Sequence, residues 1–70
     1  KNEARNAGIR SLAQIYGTMK PKEAAKLLEN MDEKLVVSLL STMKANEAAE
    51  ILSTMDFKKA AKISEALTQR

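Results

Sequence analysis

Apolar residues recur along the chain with a period of twelve. Met19, Met31, Met43 and Met55 stand at this spacing, and Leu67 takes the next step. Counted from each methionine, the sixth and seventh places hold a pair of Ala or Val residues, and the ninth holds Leu or Ile. The tenth place holds Leu in three copies. The sixth, ninth and tenth places form an i, i+3, i+4 stripe, which predicts the buried face of a helix.

Turn and cap residues divide the repeats from one another. A single long helix would rotate its apolar face by about 120° in each repeat, and it would have to accommodate Pro21. Pro21 fits the first turn of a new helix, and Asp32 and Asp56 occupy the second place of their repeats, where an N-cap is expected. The pattern therefore predicts one short helix per repeat. The predicted helices cover about residues 3–18, 21–30, 33–42, 45–54 and 57–68.

These helices predict an all-α fold, in which an N-terminal helix is followed by four short helices in a superhelical array. Helices of this length are not stable alone, so each must bury its stripe on neighbouring copies. We predict a linking helix over 1–18 and a repeat domain over 19–70, with a polar cap beginning at Ser64. The predicted core of the array consists of Met19, Leu27, Leu28, Met31, Leu39, Leu40, Met43, Ile51, Leu52, Met55 and Ile63. Methionine fills irregular space, and a methionine-lined binding groove is the alternative role.

The first helix is predicted to stand outside the twelve-residue repeat. Its apolar residues Ile9, Leu12, Tyr16 and Met19 are spaced by 3, 4 and 3 residues, as in the seam of a coiled coil. Two interpretations follow. Either this stripe pairs two chains as the end of a coiled coil, or it packs on the array of its own chain.

Composition excludes several classes of function. The 70 residues include no Cys and no His, so disulfides, ordinary zinc sites and histidine catalysis are ruled out. We therefore expect no enzyme activity, no metal and no cofactor. The 12 basic and 9 acidic residues are interspersed, which favours a solvated surface over a nucleic-acid site. No apolar run is long enough to cross a membrane, so we expect no membrane contact. Because Lys1 stands where Met is usual, we expect the sequence to be a fragment.

A family resemblance rests on residues 16–67. This stretch resembles the helical repeat module at the cytosolic N-terminus of MgtE-type magnesium transporters, and it is similar to the middle region of the flagellar rotor protein FliG. It most closely resembles the C-terminal domain of the motility chaperone family MotE. In that family a Y-x-x-M-K-P-x-x-A-A-x-x-L-x-x-M motif follows a coiled-coil helix, and Tyr16 to Met31 match it.

Each resemblance implies a different role. The MotE family implies a dimeric chaperone, exported to the periplasm or tethered to the inner membrane, whose partner is a flagellar motor or stator-associated protein. The MgtE family implies a cytoplasmic Mg²⁺ sensor that uses acidic residues, and the FliG family implies a rotor scaffold. The chain lacks the Glu-His-Pro-Gln-type motif of FliG, since it has no His. We therefore expect a protein-binding module of a motility chaperone in the periplasm, with the cytoplasmic modules as the alternative.

Overall fold

The computed structural model describes residues 3–69, and this part of the chain contains five α-helices and no strand. The prediction of an all-α fold is confirmed. Lys1, Asn2 and Arg70, which belong to the predicted segments 1–18 and 19–70, lie outside the described residues. The helices are α1 (Glu3–Thr18), α2 (Pro21–Leu28), α3 (Glu33–Thr42), α4 (Ala45–Thr54) and α5 (Phe57–Thr68).

The second place of each repeat is the N-cap of a helix that begins at the third place, as the cap residues predict. The carboxylate of Asp32 accepts a hydrogen bond from the backbone N–H of Leu35, at 3.2 Å. Asp56 does the same for the N–H of Lys59, at 3.3 Å. Lys20 and Lys44 occupy this place before α2 and α4, and their side chains make no cap hydrogen bond. The side-chain caps therefore alternate along the array, present on α3 and α5 and absent on α2 and α4.

The end of α2 differs from the prediction, because the helix stops at Leu28 and not at residue 30. Residues 29 and 30 form a turn, in which the Asn30 side-chain amide donates to the carbonyl of Lys26 at 3.0 Å. Side-chain amides satisfy helix carbonyls that lack a partner within the helix. The connection between α2 and α3 is consequently longer than the two-residue connections before α4 and α5.

Each helix packs chiefly on the helix two places along the chain. The main pairs are α1 with α3, α2 with α4, and α3 with α5, while α1 with α2 and α4 with α5 make smaller contacts. Among the described helices, only α3 has a neighbour of this kind on both sides. This arrangement is the stacking expected of a short-helix array.

The predicted core residues meet in one hydrophobic cluster, with one exception. Three of them, Met19, Met31 and Leu52, are partly buried against this cluster. Seven are fully part of it and buried: Leu28, Leu39, Leu40, Met43, Ile51, Met55 and Ile63. Leu27 is the exception, because 48% of its surface is exposed. Its place in the core prediction is therefore corrected: among residues 3–69, no helix lies two places before α2 to cover it.

The end of α1 belongs to the repeat, contrary to the sequence prediction. Residues 7–18 form one more copy, with Leu12 in the sixth place, Ala13 in the seventh, Ile15 in the ninth and Tyr16 in the tenth. Ala13 and Tyr16 are buried, as are the seventh and tenth places of α2 and α3. We therefore correct the prediction that the first helix follows a different pattern. Ala in place of the leading Met, and Tyr in place of Leu, conceal the register.

The four predicted seam residues lie against the core of their own chain. Ile9 and Tyr16 are buried, and Leu12 and Met19 are partly buried against the same cluster. This placement favours the second interpretation, in which the stripe of α1 packs on its own array. Pairing of two chains through these residues would require α1 to leave α3. That pairing stays a prediction.

Candidate functional site: a methionine-lined cleft

A cleft of about 210 Å³ opens between α2, α3 and α5. Its apolar wall is formed by Leu28, Met31, Val36, Met55 and Ile63, and its charged rim by Glu29, Glu33, Lys59 and Lys62. Leu28, Val36, Met55 and Ile63 are buried, and Met31 is half-buried. We call this site the methionine cleft. Its rim carries two charges of each sign, so the site has no net preference for an anion or a cation.

Two hydrogen bonds hold the start of α5 against the end of α2 at the rim. The Glu29 carboxylate accepts from the backbone N–H of Asp56 at 2.7 Å. The Lys59 ammonium donates to the backbone carbonyl of Glu29 at 2.6 Å. Bonds in which one partner is charged are stronger than neutral ones, and here they join segments about thirty residues apart. They fix one side of the cleft in the absence of a partner.

The other side of the cleft is supported by α1. The Tyr16 hydroxyl donates to the Met31 thioether sulfur, at 3.6 Å. Thioether sulfur is a weak acceptor, so the contact positions the methionine side chain more than it stabilises the fold. Tyr16 and Met31 are the first and last residues of the motif that carries the family resemblance. The two ends of the motif are therefore in contact at the wall of the cleft.

The cleft is suited to binding one apolar side chain of a protein partner. Small-molecule sites usually have volumes of about 300–1,000 Å³, so this volume is small for a drug-sized ligand. A protein interface is typically anchored by a few side chains in such pockets, surrounded by polar groups. Methionine adapts its shape to different occupants, which suits a binding surface. Among residues 3–69, no group of three or more Asp or Glu side chains could hold a metal ion.

Sequence reasoning found part of this site. Leu28, Met31, Met55 and Ile63 appear in the predicted core, and a methionine-lined groove was the alternative role for the methionines. The charged rim was missed, since nothing in the local pattern pairs Glu29 with Lys59. The candidate dimer residues of α1 do not line the cleft, although Tyr16 supports it through Met31.

The fold and the cleft together define a class: a short-helix repeat protein with a cleft of side-chain size between three of its helices. The part of the chain that the structure describes includes no helix both long enough and apolar enough to span a membrane. The family model of the MgtE intracellular N domain matches residues 7–70, and the chain belongs to this family. The match begins at Ala7, the first residue of the additional repeat copy in α1. Comparisons with curated proteins and with solved structures give no match.

Proposed function

We propose that the domain is a non-enzymatic protein-binding module of a flagellar motility chaperone, which assists the folding, stability or placement of a stator-associated motility protein. The observation that carries this proposal is the contact between Tyr16 and Met31. These residues delimit the motif that resembles the MotE family, and they meet at the wall of the methionine cleft. The motif thus supplies a binding surface as well as a fold.

The client anchors an apolar side chain in the cleft, between rim charges that orient the surrounding chain. The side chains of Glu29 and Lys59 are already used in the hydrogen bonds between the end of α2 and the start of α5. Glu33 and Lys62 are therefore the rim groups available to a client. Neither belongs to the buried core, and each could change without creating a cavity. The proposed chaperone therefore recognises its client through these two side chains and the methionine wall.

Motility of the source bacterium tests this function. Deletion of the gene should reduce swimming in soft agar, and the unaltered gene should restore it. A Lys62→Glu variant should restore swimming poorly because it reverses one rim charge. Lys58→Glu is the matched control, since Lys58 is an exposed lysine of the same helix that does not line the cleft. Circular dichroism checks that both variants are folded.

Two results would count against the proposal in different ways. Unimpaired swimming after deletion would overturn the motility function itself. If deletion impairs swimming and both lysine variants restore it equally, the function stands and the client contacts another surface.

A second function is a cytoplasmic Mg²⁺-regulatory module, favoured by the family match to an intracellular domain of MgtE. Compartment reporters fused to the intact gene product separate the two functions. We expect the domain on the periplasmic side of the inner membrane. A cytoplasmic result would favour the regulatory module, and an Mg²⁺ titration followed by thermal unfolding would then measure cation binding directly.

A further inference from the structure

The two ends of the array expose opposite halves of the same helix-packing interface. Within the chain, the seventh and tenth places of a helix are buried when another helix lies two places later. They are buried in α1, α2 and α3, each of which has such a partner. In α4 and α5, which have none among the described residues, Ala49, Ala61 and Ser64 are exposed and Leu52 is only partly buried. These two places therefore form the receiving side of each contact.

The ninth place shows the reverse dependence. Leu39, Ile51 and Ile63 have exposed fractions of 0%, 2% and 4%, and their helices each have a partner two places earlier. Ile15 of α1 and Leu27 of α2 have no such partner among the described helices, and they are 54% and 48% exposed. The ninth place therefore forms the inserting side of the contact.

Within residues 3–69, one end of the array thus presents two receiving sites that no described helix fills, and the other presents two inserting side chains that contact no described receiving site. The receiving end continues into a groove of about 520 Å³ between α4 and α5, and Phe57, 88% exposed, stands at its edge. Repeat arrays generally need polar faces on their terminal repeats to remain soluble and monomeric. The predicted polar cap places only Ser64 in this groove, beside Leu52 and Ala61.

We propose that a second copy of the chain docks on this groove head to tail. The α1 and α2 helices of the second copy take the places of a sixth and a seventh helix. Its Ile15 then faces Ala49 and Leu52 of α4, and its Leu27 faces Ala61 and Ser64 of α5. A second copy fits because it carries the same residue types, at the same helical spacing, that fill these places inside the chain.

This contact joins different surfaces of the two copies, so it does not close on itself. Heterologous contacts of this kind extend into open assemblies unless a rotation closes them into a ring. It also differs from the predicted dimer seam, because Ile9 and Tyr16 stay buried on α3. The proposal goes beyond the chaperone function and does not depend on it, although Met55 lines both this groove and the methionine cleft.

Sedimentation velocity of the purified chain tests the contact at concentrations from micromolar to millimolar. The mean mass should rise with concentration beyond that of a dimer. Leu27→Glu blocks the inserting end and Ala61→Glu blocks the receiving end, and both replace exposed residues. Each variant alone should remain monomeric. An equal mixture of the two should form one-to-one dimers and nothing larger, because one intact end of each kind remains.

Gln14→Glu, which adds one charge at an exposed place of α1, is the matched control and should assemble as the unaltered chain does. A monomeric unaltered chain at every concentration would overturn the proposal. So would a mixture of the two variants that stays monomeric. Association that survives Leu27→Glu but not Ala61→Glu would also overturn it, because two receiving ends would then be paired symmetrically. A dimer unaffected by either variant would point to the α1 seam instead.

Discussion

Helices α3 and α4 have the same length and equivalent repeat sequences, yet they bury very different surfaces. α3 buries Val36, Val37, Leu39 and Leu40, whereas α4 buries only Ile51. The difference follows from their neighbours, because α3 packs between α1 and α5 while α4 packs chiefly on α2. In this array, the stabilising contribution of a side chain depends on which copy it occupies as much as on its place in the repeat.

Truncating the same leucine in two copies gives the sharpest test of this dependence. Leu39 and Leu27 both occupy the ninth place, one fully buried and one half exposed. Leu39→Ala should lower the free energy of unfolding by about 2–5 kcal/mol, as expected for a cavity in a packed core. Leu27→Ala should lower it by less than about 1 kcal/mol. Urea unfolding of dilute protein measures both, and equal losses would contradict the role assigned to neighbouring helices.

A second test disrupts the upstream neighbour of α3. Leu12→Asp places a charge on the face of α1 that packs against the core, and it should cost about 2–3 kcal/mol of unfolding free energy. The control is Gln14→Asp, which adds the same charge at an exposed position of the same helix. If the Leu12 variant keeps its stability and loses a dimer instead, α1 pairs two chains. In that case α3, like α4, would have a main neighbour on one side only.

The smallest expected effect concerns the helix caps. Asp32→Ala removes a side-chain cap from α3 and should cost about 1 kcal/mol. Lys44→Ala at the equivalent place before α4 should change stability little, because the Lys44 side chain makes no cap hydrogen bond. Thermal unfolding of the two variants compares them directly. A larger loss of stability for Lys44→Ala than for Asp32→Ala would contradict the stabilising role assigned to the Asp32 carboxylate.

The helices were predictable because their signals are local. Pro21, Asp32 and Asp56 mark helix starts, and the predicted ranges differ from the observed ones mainly at the end of α2, which stops at Leu28. The exposure of Leu27 was not predictable in this way, since the residue is equivalent to Leu39 in pattern and differs only in its missing neighbour. Burial here is a property of the assembled array.

The methionine cleft was predictable only in its apolar wall. Met31 and Met55 follow the twelve-residue repeat, so the spacing predicts that they pack with the apolar residues of the core. The rim depends on Glu29 meeting the start of α5 after two further helices. The position of the Met31 side chain in the wall depends on Tyr16 reaching it from α1. Such contacts depend on how the helices stack. No window of the sequence as short as one helix contains them.

Stacking on the helix two places along also has a consequence for the folding rate. Every main helix pair joins segments separated by two repeats of twelve residues, so none of these pairs joins the two ends of the chain. Helical proteins, in which most contacts lie within helices or between nearby ones, fold in microseconds to milliseconds. We therefore expect rapid folding that proceeds from one three-helix segment to the next, with α3 the helix shared by the two outer segments.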